Sequence, residues 1–314
     1  MRIALITPAR PGTRSGNRHT ALRWATMLRS AGHRVSVATE WAPKGDADLM
    51  LALHARRSHG SIKAFADAHP DRPLVVALTG TDVYHDIRVS AAARESLGLA
   101  HRFIVLQPLA TEELPRALRG KARVVYQSCA TRLRHAPVKR GFRACVIGHL
   151  REEKDPLCAL AALAHLPRDA GIEVVQLGEA LDERFANAAR AAMAREPRYR
   201  WLGGVPHARA LRWLASSHAM VISSRMEGGA NVVSEALRIG VPVLASRIPG
   251  NLGLLGAAHA GYYPLGDARS LAALILRAAS DAAFYGRLKN QSTRLRPMVA
   301  PSNEARLLLA ALRL

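Results

Sequence analysis

The sequence predicts an α/β protein of two doubly wound, Rossmann-like domains facing each other across a cleft. Three observations carry that expectation. Short apolar runs of strand length alternate along the chain with longer segments of helical periodicity, the pattern of parallel sheets covered by helices on both faces. The chain has 314 residues, room for two domains of ordinary size. A basic, proline-containing stretch at 132–141 divides it into halves that each open with a strand and a loop.

The first domain is expected over residues 1–135. Its strands are read at 3–7, 35–39, 49–53, 74–78, 103–106 and 123–126, with a periodic helical segment at 18–31. The second domain is expected over 141–298, with strands at 144–147, 173–177, 200–201, 219–223 and 243–245 and a helix at 156–166. The remainder, 299–314, contains a short apolar helix at 302–314, free to pack back onto the first domain. In doubly wound sheets ligands bind at the carboxyl ends of the strands. A ligand shared by both domains would lie between them.

Composition narrows the class. At 49% hydrophobic and 22% charged residues the chain should fold rather than stay disordered. The formal net charge is +21, and only six of the 45 basic residues are lysines. Such charge favours an anionic partner. The bases are scattered and aromatics make up only 5%, which speaks against nucleic acid as the main ligand. Cys129, Cys145 and Cys158 form no metal or redox spacing, and an odd count suits a reducing cytoplasm, the expected location. The N-terminal apolar run is too short for a signal-peptide core, and no stretch of 18 apolar residues is present. No His/Cys/acid set has ligand spacing and no nucleophile elbow appears, so neither a metal nor a cofactor is expected.

Four stretches can carry chemistry. In the most informative, an apolar strand runs into Ser224-Arg225-Met226-Glu227-Gly228-Gly229-Ala230-Asn231-Val232-Val233-Ser234-Glu235. A small-residue loop before a helix presents free backbone N–H groups to an anion. Glu227 and Glu235 add carboxylates that accept bonds from hydroxyls. The unit therefore suits a ligand with both hydroxyls and phosphate, such as a nucleotide sugar. The plainer reading makes Glu227 a helix cap and Glu235 an exposed helical residue. Gly148-His149-Leu150-Arg151-Glu152-Glu153-Lys154 follows the first strand of the second half. One helical turn there would aim Arg151 and Lys154 at one point and neutralise a leaving diphosphate; a solvated charge run is the alternative.

Two stretches lie in the first half. Pro11-Gly12-Thr13-Arg14-Ser15-Gly16-Asn17-Arg18 follows its first strand, either as an anion loop or as a plain βα turn. Leu78-Thr79-Gly80-Thr81-Asp82 ends another strand, and Thr81 and Asp82 are either substrate contacts or helix caps. His54, at a strand end beside Arg56 and Arg57, is expected to face the cleft and contact ligand.

These residues carry a resemblance. Glu227-x7-Glu235 followed by Ala236-Leu237-Arg238-Ile239-Gly240-Val241-Pro242-Val243 resembles the nucleotide-sugar signature of retaining GT-B glycosyltransferases, and Gly148 to Lys154 resembles their phosphate loop. The resemblance implies that Glu227 binds donor-sugar hydroxyls with the N–H groups of Gly228, Gly229, Ala230 and Asn231. It implies that Asn231 and Val232 lie against the diphosphate, that Glu235 holds the ribose, and that Lys154 stabilises the leaving group. The family has arginine where His149 stands, so His149 or Arg151 takes that role. It often has histidine where Thr79 stands.

Further stretches, His54-Ala55-Arg56-Arg57-Ser58, Leu78 to Asp82, Gly148 to Arg151, Ser223 to Glu235 and Ser246-Arg247-Ile248-Pro249-Gly250-Asn251, resemble the selenosugar synthase subgroup of selenoneine biosynthesis. That implies transfer from UDP-N-acetylglucosamine or UDP-glucose to selenophosphate, giving a 1-seleno-sugar, UDP and phosphate. The acceptor residues are then expected to be Gly16, Asn17, Arg18, His54, Arg56, Thr79, Gly80 and Thr81, with Arg10, Arg14 and Arg57 adding charge. The alternatives are a conventional transferase with a hydroxyl acceptor, a non-catalytic nucleotide-sugar binder and a basic nucleic-acid-binding protein.

Overall fold

The computed structural model describes residues 1–13, 15–42 and 45–313. The chain forms two compact units: Met1–Gln127 with Glu227–Gly229 and Pro301–Leu314, and Ser128–Met226 with Ala230–Ala300.

In the first unit, β1 (Arg2–Ile6), α1 (Gly16–Ser30), β2 (Arg34–Ala38) and β3 (Leu49–Leu53) are followed by α2 (His59–Ala68) and β4 (Leu74–Leu78). A π-helical turn at Asp82–Asp86 runs into the short α3 (Ile87–Val89), then α4 (Ala91–Leu99), β5 (Arg102–Val105) and β6 (Ala122–Val124). All neighbours in the sheet β2-β1-β3-β4-β5-β6 are parallel. Alternation within β1 serves two cores. Ile3 and Leu5 pack with Trp24 and Leu28 of α1, while Ala4 and Ile6 join Phe65 and Val76 on the other face. Each fully buried large apolar side chain there contributes roughly 1.5–3 kcal/mol. β3 and β4 are buried at every position, as expected for strands covered on both faces.

The second unit contains β7 (Phe142–Ile147), a single 3₁₀ turn (Glu152–Lys154), α5 (Cys158–Leu163), β8 (Ile172–Leu177), α6 (Glu183–Arg195) and β9 (Tyr199–Trp201). It continues with α7 (His207–Ala215), β10 (Ala219–Ile222), α8 (Asn231–Ile239), β11 (Val243–Ser246), α9 (Pro249–Leu255), β12 (Tyr262–Tyr263), α10 (Ala268–Ser280) and α11 (Ala282–Arg294). Its sheet order is β12-β11-β10-β7-β8-β9, that of a dinucleotide-binding sheet. β12 has only two residues, too few to show a period in the sequence. The 132–141 stretch lies along this unit: the N–H groups of His135, Ala136 and Val138 donate to carbonyls of Ile239, Ala215 and Ser216. Its proline and charges predict a linker, but its backbone is bonded.

The chain closes with α12 (Pro301–Leu312), which belongs to the first unit. Glu304 is fully buried and accepts from Trp24 Nε1 at 2.7 Å and Arg23 Nε at 2.8 Å. That bonded pair anchors α12 to α1.

Candidate functional site

The order of each sheet reverses at one place, and a crevice opens at the strand ends there. In the second unit the reversal lies between β7 and β10, so the loops that follow these strands are neighbours. The loop after β7 is stitched down on one side by the segment after β8. Gly148 N–H donates to Leu177, Leu150 N–H to Glu179 and Leu181 N–H to Leu150. A Cβ on Gly178 would stand 2.0 Å from the Gly148 carbonyl oxygen, so glycine is required for that approach. Glu179 N–H donates to His149 Nδ1 at 3.2 Å. With Nδ1 accepting, the single proton of a neutral ring would sit on Nε2.

Arg151 and Lys154 do not share a helical turn of the kind the spacing suggests. Arg151 is extended (φ −154°, ψ 160°), and only Glu152–Lys154 coil, as one 3₁₀ turn. The charge run and Pro156 give the segment no apolar face with which to extend a helix. The turn ends at Asp155 in the left-handed region, φ 44°. Ser223, just after β10, straps it: its hydroxyl lies 2.9 Å from the carbonyl oxygens of both Lys154 and Asp155. Arg225 N–H donates to Glu153 at 2.9 Å. The two loops are one bonded assembly, and Lys154 is carried on it.

α8 follows that assembly. Its N-cap, Ala230, offers no side-chain bond, and its first turn holds no acid. A helix N-terminus carries N–H groups without an intrahelical acceptor and the positive end of the dipole, which favour an anion. Asn231 and Val232 occupy the first two helical positions, and Glu235 lies one turn on. Glu235 Oε1 is 2.8 Å from His207 Nε2 at the start of α7. His207 carried no sequence signal, because nothing in a linear chain shows that α7 and α8 meet.

In the first unit the reversal lies between β1 and β3. Ser15 caps α1 by accepting from Arg18 N–H at 3.3 Å, which sets Gly16, Asn17 and Arg18 in its first turn. Arg10 is exposed; Arg14 lies outside the described residues. After β3, Arg56 and Arg57 are exposed, and Arg56 Nε donates to Asp86 at 2.8 Å. His54, expected to face ligand, is instead 2% exposed. Its Nε2 lies 3.0 Å from Thr81 Oγ1. Burial is the main cause holding its pKa below the ordinary 6.5, against the pull of Asp82. Asp82 is fully buried: Oδ1 accepts the N–H groups of Thr79 and Gly80, and Oδ2 that of Ala55. It ties the ends of β3 and β4 together rather than presenting a free carboxylate.

Glu227, Gly228 and Gly229 belong to this unit and pack on the ends of β4 and β5. A Cβ on Gly228 would stand 2.5 Å from the Thr79 carbonyl, and one on Gly229 2.5 Å from Leu106 Cβ. Close backbone approach thus explains the paired glycines. Glu227 is 8% exposed, and Ala230, not Glu227, stands at the N-cap position of α8. Nearby Tyr84 has its phenol pKa pushed up by burial and accepts from Gln107 Nε2 at 2.6 Å. Among the described residues no cluster of three or more His, Cys, Asp or Glu is placed to hold a metal ion.

Comparison with known proteins decides the family. Residues 130–295 match the model of glycosyl transferases group 1, more than half of the chain. The protein belongs to this family. No curated protein matches the chain, but solved structures do. HepE of Anabaena in complex with UDP and glucose superimposes with a TM-score of 0.79 at 18% identity, covering 99% of both chains. Sucrose-phosphate synthase of Thermosynechococcus elongatus gives 0.78 at 17%, over 99% of this chain and 98% of that one. The lipopolysaccharide outer core galactosyltransferase WaaB, in its apo form, gives 0.72 at 14% over 99% of both. These likenesses are of fold, and the fold is GT-B. The matched family segment contains the Lys154 turn, the Ser223 strap and α8. No helix of the described residues is long and apolar enough to cross a membrane.

Proposed function

We propose that this group 1 glycosyl transferase moves a sugar from a UDP-sugar to the selenium of selenophosphate. Selenium attacks the anomeric carbon and the bond to UDP oxygen breaks. Water then cleaves the phosphorus–selenium bond, leaving a 1-seleno-sugar, UDP and phosphate. The donor is UDP-N-acetylglucosamine or UDP-glucose, and anomeric configuration is retained.

The observation that carries the donor half is the bonded assembly at the β7–β10 reversal. It carries Lys154 on the loop after β7, while α8 starts from the loop after β10; a lysine and a helix N-terminus acting together would neutralise a departing diphosphate. The N–H groups of Gly228 to Asn231, with His149 Nε2–H or the Arg151 guanidinium, add donors. Glu227 takes sugar hydroxyls and Glu235 the ribose. UDP in the HepE complex supports the choice of nucleotide. The acceptor half rests on the resemblance of His54–Ser58, Leu78–Asp82 and Ser223–Glu235 to selenosugar synthases. It also draws on the arginines after β1 and β3, whose forks match phosphate oxygens. A selenium anion needs little general-base help, which suits Thr79 in place of histidine. The cysteines are poor rivals as nucleophiles: burial pushes Cys158 up to about 11 and Cys145 up to about 12. All three thiols are buried, as suits a reducing cytoplasm.

Incubation with UDP-N-acetylglucosamine or UDP-glucose and selenophosphate should release UDP and phosphate and give a seleno-sugar by mass spectrometry. Release of UDP only with a hydroxyl acceptor refutes the selenium reading and leaves a conventional transferase.

A further inference from the structure

His54 combines two features that seldom coincide. Its backbone is left-handed, φ 73°, a conformation that costs a non-glycine residue of order 1–3 kcal/mol. Its imidazole is buried. Strain of this kind persists where the surroundings over-determine it, and here they do. His54 N–H donates to the Ala77 carbonyl at 2.8 Å, and Ser58 N–H donates back to the His54 carbonyl at 3.0 Å.

The ring contacts assign its proton. Arg57 N–H donates to Nδ1 at 3.3 Å, so Nδ1 is an acceptor. The single proton of the neutral ring is then on Nε2, which donates to Thr81 Oγ1 at 3.0 Å. The charged groups around the ring are Asp82 and Asp86, 3.9 and 3.8 Å from its nitrogens, and Arg56 and Arg57. Burial outweighs the two carboxylates and keeps the ring neutral. A hydroxyl that accepts from Nε2–H has its own proton left to donate, and among the described residues no acceptor takes it. Thr81 is only half-buried and stands at the end of β4, where sheets of this kind bind ligand.

We infer that His54 is a positioning residue that fixes the Thr81 hydroxyl as a hydrogen-bond donor to an anionic oxygen of the acceptor. This rests on the acceptor placement proposed above, but not on selenium. The shared chemistry is a tetrahedral oxyanion carrying phosphate oxygens.

The test uses inorganic phosphate as the probe, titrated calorimetrically into the full chain, alongside KM for each substrate. Thr81→Val should weaken phosphate binding roughly tenfold, and Thr81→Ser should restore it, because one bond to a charged group is at stake. His54→Asn keeps a side chain that tolerates the left-handed backbone but is too short to reach Thr81. It should weaken phosphate binding in the same direction, and the double variant should be no worse than Thr81→Val alone. KM for the UDP-sugar should stay unchanged in all of them, which a merely structural loss would not produce. The inference is overturned if the wild-type protein binds no phosphate, if Thr81→Val binds it as well as wild type, or if the two effects add. Phosphate binding with the expected pattern but no seleno-sugar would instead count against the selenium reading alone.

Discussion

Two loops at the sheet reversals, one in each unit, meet the same mechanical demand differently. Both contain a non-glycine residue with positive φ, His54 at 73° and Asp155 at 44°. After β7 the strained residue is held by bonds to backbone: the Ser223 hydroxyl on two carbonyls and Arg225 N–H on a third. After β3 it is held by a side-chain network of buried His54, Asp82 and Asp86 with half-buried Thr81. A loop strapped by backbone bonds tolerates varied side chains provided its straps remain. A loop strapped by buried polar groups depends on each of them, since an unpaired buried partner costs more than the bond it replaces contributes.

The largest effect is expected at Lys154, on the loop after β7. Lys154→Ala should lower turnover roughly 10²–10³-fold, the loss seen when a donor to a developing anion is removed. UDP release under saturating substrate measures it, and UDP affinity should fall far less. A variant that loses affinity and keeps turnover would make the β7 loop a binding element only.

The counterpart in the first unit is Asp82→Ala. Three N–H groups, those of Thr79, Gly80 and Ala55, lose their acceptor in a buried place. The expected loss is about 3 kcal/mol in denaturant unfolding. A loss below about 1 kcal/mol would mean that this network is no more demanding than the backbone strap of the other loop.

Those two loops were unequally legible in the sequence. The strand–loop–helix character of 219–237 and the glycine-to-lysine stretch at 148–154 were visible because parallel strands are continuous apolar runs and anion loops need small residues. The same alternation predicts both sheets except for β12, whose two residues show no period. What the spacing misjudged was local shape: Arg151 and Lys154 are three apart, yet one 3₁₀ turn replaces the helix because nothing apolar supports a longer one. His54 stands at the end of β3, where ligands are expected, but it is buried. Its burial depends on Asp82 and Asp86, which arrive through the π-helical turn at Asp82–Asp86 after β4, a partnership no linear pattern contains. The His207–Glu235 pair was unreadable for the same reason.

Acid should weaken the fold through imidazoles that are buried or partly buried. Burial holds the pKa values of His54, His135 and His259 below the ordinary 6.5. As pH falls through that value the unfolded chain takes up protons that the folded one does not. Stability is therefore full above about pH 6.5 and declines below it, by at most about 1.4 kcal/mol per pH unit for each group. Melting temperature should drop between pH 7.5 and 5.5, and His54→Asn should make the decline shallower. An unchanged slope in that variant would show that the β3 loop does not carry its share.

Ser223→Ala removes the strap of the other loop and should cost about 1 kcal/mol, one neutral hydrogen bond. Its second effect is more telling. If the strap aims Lys154, turnover falls while UDP affinity holds; if both stay at the wild-type level, the turn keeps its shape through Arg225 N–H and the stitching after β8.

The smallest effect is expected at Asp155, where the comparison is sharpest. Asn, like Asp, tolerates the left-handed region. Asp155→Asn leaves the two carbonyl contacts of Ser223 in place and removes only a 3.4 Å pair with the half-exposed Arg225. Exposed pairs contribute less than about 1 kcal/mol, so stability should shift by less than about 0.5 kcal/mol. At His54 the same asparagine is equally well suited to the backbone yet discards the bond to Thr81 and the filling of a buried site. Similar tolerance of asparagine at both positions, measured by unfolding, would mean that backbone conformation alone sets both loops. A much larger loss at His54 would locate the difference in the buried network.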